Sequence, residues 1–149
     1  MQMRGARLCV CVWDENTGKI ALADGVTLWP QMPRRKLIAE LETLTGKPCR
    51  VDDLQHASVL SCAAFPFCGG RAACLCTFHR GRLHTVELYP AAGTAALRRA
   101  LLFRFLGAQD PCPDTPRGVL RRFAAGTAYV ATDPRGGGAS LRITYTIRE

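Results

Sequence analysis

The sequence predicts an α+β fold, a single domain in which an antiparallel sheet of about five to seven strands carries two main helices on one face. Three observations point to it. The stretch from Gly126 to Ile147 alternates in residue type on either side of Asp-Pro-Arg-Gly-Gly-Gly, which is the pattern of a hairpin. Between residues 56 and 89 strand-like runs are joined by turns too short for a parallel crossover. Two segments carry helix stop signals, Gly46 and Gly107. A chain of 149 residues suits one domain with its own core.

Taken in order, Arg7 to Trp13 alternates as a strand, Glu15 to Gly18 turns, and Lys19 to Ala23 returns as a hairpin. Asp24-Gly25 is a further turn, and Val26 to Trp29 a short extension. Pro33 then opens a helix, where its missing N–H costs nothing, and Leu37, Ile38, Leu41 and Leu44 mark the buried side. Lys36 and Glu40 are placed to pair one turn apart. Arg34, Arg35 and Lys36 face the positive end of the helix dipole; a solvated cluster explains them, with an anion-facing site as the rival. Asp52 and Asp53 read as loop. Ala57 to Ala64 is a strand that Phe65 to Gly70 breaks, Arg71 to His79 is the next, and Arg80-Gly81 turns it into Leu83 to Tyr89.

The second helix runs from Thr94, its N-cap, to Leu106. Leu97, Leu101, Leu102, Phe103, Phe105 and Leu106 wrap most of its circumference, so it is either deeply buried or a homodimer contact. Arg98, Arg99 and Arg104 are expected to snorkel outward. Ala108 to Pro116 is a loop, Val119 to Phe123 a short helical turn, and the closing hairpin follows. The expected order is ββα-βββα-ββ.

Composition narrows the class of protein. Hydrophobic residues at 48% and charged residues at 21% describe a globular chain, and no apolar run approaches a membrane span of about 20 residues. Asp14 and Glu15 arrive too early for a signal peptide, so a cytoplasmic location is expected, with the eight cysteines as free thiols. The net charge of +8 is carried largely by scattered arginines, which points to compositional bias ahead of a nucleic-acid partner.

Among chemical constellations, the pairs Cys9/Cys11 and Cys74/Cys76 stand out. On strands each pair would point two thiols one way, and neighbouring strands could then build a tetrahedral zinc site. C-x-C in an extended strand wraps an ion poorly, and free cysteine packs as a small apolar residue, so the expectation is no cofactor, with zinc the runner-up. His79 and His84 flank a tight turn, yet no nucleophile-elbow motif accompanies them and the glycines after Arg135 lack the G-K-[ST] of a phosphate loop. Little here meets the requirements of a catalytic site. Basic residues Arg80, Arg82, Arg98, Arg99, Arg121 and Arg122 would serve nucleic acid if gathered, but no aromatic platform is evident.

Leu83, Val86 and Leu88 before the second helix, followed by Gly126, Asp133, Pro134, Ser140, Leu141, Ile143 and Tyr145, resemble small uncharacterised bacterial α+β proteins that close on an Asp-Pro hairpin. The resemblance covers about half the chain and departs at Ala125, where those proteins carry Trp. It implies an accessory, immunity-like role. The resulting expectation is a non-catalytic module that binds an unidentified protein and touches no membrane, with His79, Arg80, Arg82, His84, Arg98 and Arg99 as binding residues. Self-association through Leu97 to Leu106 would accompany it. Anion or nucleic-acid binding is the first alternative, a zinc-stabilised module the second.

Overall fold

Alternation of side chains forms the closing hairpin as expected. In the computed structural model, which describes residues 11–55, 57–91, 93–113, 115, 117–133 and 138–146, β9 (Gly126–Asp133) pairs antiparallel with β10 (Gly138–Tyr145). Ala128 and Val130 of β9 and Ala139, Leu141, Ile143 and Tyr145 of β10 are buried. Gly126 is obligatory in its place, because a Cβ there would collide with the Thr144 carbonyl. The turn expected at Pro134 to Gly137 lies outside the described residues, as do residues 1–10, which include Cys9.

The remaining strands are β1 (Val12–Asp14), β2 (Lys19–Ala21), β3 (Thr27–Leu28), β4 (Arg50–Asp53), β5 (Ser58–Phe67), β6 (Gly70–His79), β7 (Arg82–Pro90) and β8 (Val119–Phe123); the helices are α1 (Arg34–Thr45) and α2 (Ala95–Leu106). Seven strands form one antiparallel sheet in the order β4-β5-β6-β7-β10-β9-β8, and β1-β2-β3 form a separate small sheet. The α+β class holds, with more strands and a second sheet than the sequence suggested.

Three elements depart from expectation. Asp52 and Asp53 lie in β4, which pairs along Ser58 to Ser61. The stretch Phe65 to Phe67 does not break β5; it continues past an irregularity between Cys62 and Phe65. Pro66 is tolerated because it pairs with Arg71 on one side, whereas the β4 ladder on the other ends at Ser61. Val119 to Phe123 is an edge strand, joined to β9 by Ala124 and Ala125, not a helical turn.

The helices are capped as read. Gly46 closes α1 at φ 69, the Thr94 hydroxyl accepts from the Leu97 N–H, and Gly107 closes α2 at φ 67. Lys36 pairs with Glu40 at 3.6 Å. Several neighbours account for the broad apolar girth of α2, since it packs on β10, β9 and β7 and also meets β1. Leu102, Phe103, Phe105 and Leu106 are buried, and Leu97, at 63% exposure, points outward beside Ala96, Ala100 and Arg104.

Apolar side chains of both sheets and both helices join one core. The small sheet is fastened by backbone bonds from Gln31 to Leu83 (3.0 Å) and from Leu83 to Met32 (2.9 Å), and by Trp13 stacked edge-on against Phe123 at 4.8 Å. The buried Tyr145 hydroxyl donates to the Gly18 carbonyl at 2.6 Å. On the opposite face of the main sheet, the outward-pointing residues of β6, β7, β9 and β10 all retain exposure.

Candidate functional site

The six residues expected to bind fall into two places. His79, Arg80, Arg82 and His84 surround the β6–β7 turn, where Arg80 and Gly81 both take positive φ (54 and 77), the geometry of a type I′ hairpin. Thr77 pairs with Thr85 and Phe78 with Leu83, so His84 is the extra residue of a bulge. The bulge turns its ring toward His79, with centroids 6.4 Å apart. Burial, then the neighbouring His79, lowers the His84 pKa. Arg82 is used internally, donating to the Gln31 carbonyl at 3.3 Å, while the Arg34 N–H donates to Gly81 at 2.9 Å. Arg80 is exposed beside a shallow depression of about 230 Å³ that also holds Asp53, Leu54 and Ser58. A carboxylate on its rim makes this a poor anion site.

Arg98 and Arg99 lie beyond the other end of β7. From residue 84 to residue 90 the strand rises roughly 20 Å, so the expected binding residues do not form one patch. Arg99 does not snorkel. It is 2% exposed, and its guanidinium grips Asp110 through Nε (2.6 Å) and Nη2 (3.0 Å). Its Nη1 donates to the Arg117 carbonyl (2.5 Å) and Thr132 Oγ1 (3.0 Å), and Nη2 also reaches Cys112 Sγ (3.4 Å). Each of the guanidinium's donors is thereby engaged, which is the condition for burying it. Asp110's pKa is lowered by this pair, and that of Arg99 is raised by it. Arg98 donates to the Ala91 carbonyl at 3.1 Å and keeps a buried Nε with no partner among the described residues. It lines a depression of about 350 Å³ with Tyr89, Thr132, Asp133 and Ser140.

The cysteines also separate. Cys11 sits against the β5–β6 turn, its Sγ 3.5 Å from the Pro66 carbonyl. Cys74 and Cys76 are buried on β6, with Cys74 opposite Cys62 and Cys49 close by. Burial, chiefly, pushes the Cys49 thiol up to about 12, and the hydrogen bond to Cys74 holds Cys62 protonated. Among the described residues no group of three or more His, Cys, Asp or Glu is placed to hold a metal ion. Cys11 therefore does not gather with Cys74 and Cys76, and Cys9 lies outside the described residues.

A further constellation emerges from the strand register. Glu87, Arg142, Tyr129 and Leu120 stand in one row across β7, β10, β9 and β8 on the outward face. Arg142 donates from Nε (3.0 Å) and Nη2 (2.9 Å) to Glu87 Oε1. Tyr89, Tyr129 and Leu120 are 40%, 42% and 56% exposed. The Tyr129 phenol lies over Gly118, where any Cβ would collide with it. Alternation in the sequence puts Arg142 on the wet face, but which residues face each other across strands is set by register. No nucleophile and base are joined here, and what the surface offers is contact: two aromatic rings, an apolar side chain and a charge pair. The chain matches no protein-family model, no curated protein and no solved structure. Among the described residues no helix is long and apolar enough to cross a membrane.

Proposed function

We propose that this chain is a small, cytoplasmic, non-catalytic bacterial module of accessory or immunity-like kind that holds a protein partner on the outward face of its seven-stranded sheet. The observation that carries this reading is the row Glu87–Arg142–Tyr129–Leu120 with Tyr89 beside it. Tyrosine and arginine are the residue types that concentrate binding energy at protein interfaces, and an Arg already ordered by a carboxylate loses little freedom on docking. The net charge of +8 favours a partner with an acidic surface. The resemblance to small bacterial proteins supports the same class. Self-association through the outer stripe of α2 around Leu97 is compatible with this reading, since that stripe lies on the helix and not on the sheet.

A second reading has its own observation. Exposed tyrosines on an open sheet, with Arg122 and Arg142 exposed on the same face, also suit single-stranded nucleic acid. A photo-crosslinking side chain at position 129, compared with one at the exposed Thr43 of α1, tests the two. The expected result is one cross-linked protein from position 129 only, lost with Arg142→Glu and retained above about 0.2 M salt. Cross-links to nucleic acid that vanish over that salt range would favour the second reading, and equal yields from both positions would overturn the surface.

A further inference from the structure

Among the cysteines of the described residues, two have surroundings unlike the rest. Cys68 is half-buried in the two-residue β5–β6 turn, at φ 44, with Gly69 following at φ 83. Cys11, where the chain enters β1, reaches this turn. Its Sγ donates to the Pro66 carbonyl at 3.5 Å, two residues before Cys68 in the same hairpin, which brings the two thiols close enough to influence each other. The corner is shared by aromatic rings, since Phe105 of α2 stacks with Phe67 at 5.2 Å and with Trp13 at 6.4 Å.

We propose that Cys68 is a reactive, solvent-reachable thiol and that Cys11 resolves it, giving a reversible disulfide that fastens the entry of β1 to the β5–β6 turn. The neighbouring Cys11 and then the charge of Arg104 favour the Cys68 thiolate, against a partial burial that opposes it. Cys49, Cys62 and Cys74 have the reverse setting and are held as neutral thiols. Cys112 is half-buried too, but its sulfur accepts from Arg99 at 3.4 Å and sits inside the ion-pair network.

The step needs a low-molecular-weight disulfide as oxidant. The Cys68 thiolate attacks one of its sulfurs, that S–S bond breaks, and one thiolate leaves. Cys11, giving up its proton, then attacks the Cys68 sulfur of the mixed disulfide and expels the second thiolate. The protein loses two electrons and both thiol protons; the oxidant becomes two thiols.

Reduced full-length protein, pulsed with an alkylating reagent and separately treated with glutathione disulfide, is followed by intact mass and peptide mapping. Cys68 should be alkylated about tenfold faster than Cys49 or Cys62. Oxidation should lower the mass by about 2 Da, with Cys11 and Cys68 in one linked peptide that dithiothreitol separates. In Cys11→Ser the glutathione adduct should persist on Cys68 unresolved. Alkylation no faster than at Cys49, an unchanged mass, or a link from Cys68 to Cys9 in place of Cys11 would each overturn the proposal. If Cys11→Ser does not fold, the peptide map of the native protein decides alone.

Discussion

Arg99 shows how far a single side chain can differ from its sequence reading. In Ala-Ala-Leu-Arg-Arg-Ala-Leu-Leu nothing distinguishes it from Arg98, and the pattern predicts that both snorkel. What distinguishes them is Asp110, which follows α2 in a loop whose course no local pattern specifies. Replacing Arg99 with Ala leaves that carboxylate, 12% exposed, without its partner, and should cost about 3–5 kcal/mol in chemical denaturation. Arg99→Lys should recover only part of this, because an ammonium cannot bridge both Asp110 oxygens while also reaching Arg117 and Thr132. The pH dependence has a definite sign. Asp110 has a lowered pKa in the folded protein, so its contribution is complete above the unfolded value of about 3.9 and is lost as pH falls below it. Native protein should lose stability through that range more steeply than Arg99→Ala does.

At the scale of elements, legibility followed local chemistry. Gly46, Thr94 and Gly107 delimit the helices in the sequence because caps act within a turn of where they stand. A turn at Arg80-Gly81 is equally plain, and its type I′ form is seen only in the backbone angles. Pro66 misled because its cost depends on whether a strand lies on its N–H side, and that is a matter of how far β4 extends. Val-Leu-Arg-Arg-Phe was ambiguous at five residues, and only pairing with β9 decides it. The outward row of the sheet was invisible for a related reason: alternation gives the face, and register gives the neighbours. For α2, breadth of apolar surface did not separate burial from self-association. Leu102→Ala, at a fully buried position, should cost about 2–5 kcal/mol, whereas Leu97→Lys should change stability by less than about 0.5 kcal/mol. If the outer stripe joins two copies, sedimentation of Leu97→Lys should show monomer where the native chain shows dimer.

The whole molecule is two sheets that must act as one, and a single hydroxyl contributes to their joint. Tyr145 ends the central β10, is 1% exposed, and donates to the carbonyl of Gly18 in the β1–β2 turn. Gly18 takes φ +78, and a Cβ there would come within 2.9 Å of the Tyr145 ring, so the turn can approach this closely only without a side chain. Tyr145→Phe keeps the ring and strands a carbonyl, which should cost about 1–3 kcal/mol. If the small sheet is held as a unit by this contact and by the Gln31, Met32 and Leu83 bonds, the loss should be uneven. Hydrogen exchange should quicken at Ile20, Ala21 and Leu28, while Cys74, Cys76 and Val86 in the middle of the main sheet keep their protection. Alkali offers an independent check. Burial raises the Tyr145 pKa above its ordinary value, so the folded protein retains a proton that the unfolded chain releases from about pH 10 upward, and stability falls as pH climbs through that range. The cysteine thiols with raised pKa add the same slope to both proteins, so the difference between native and Tyr145→Phe isolates the phenol. A mutant with an unchanged alkaline slope, and exchange quickened equally in both sheets, would mean that the sheets unfold together and that the hydroxyl is not what joins them.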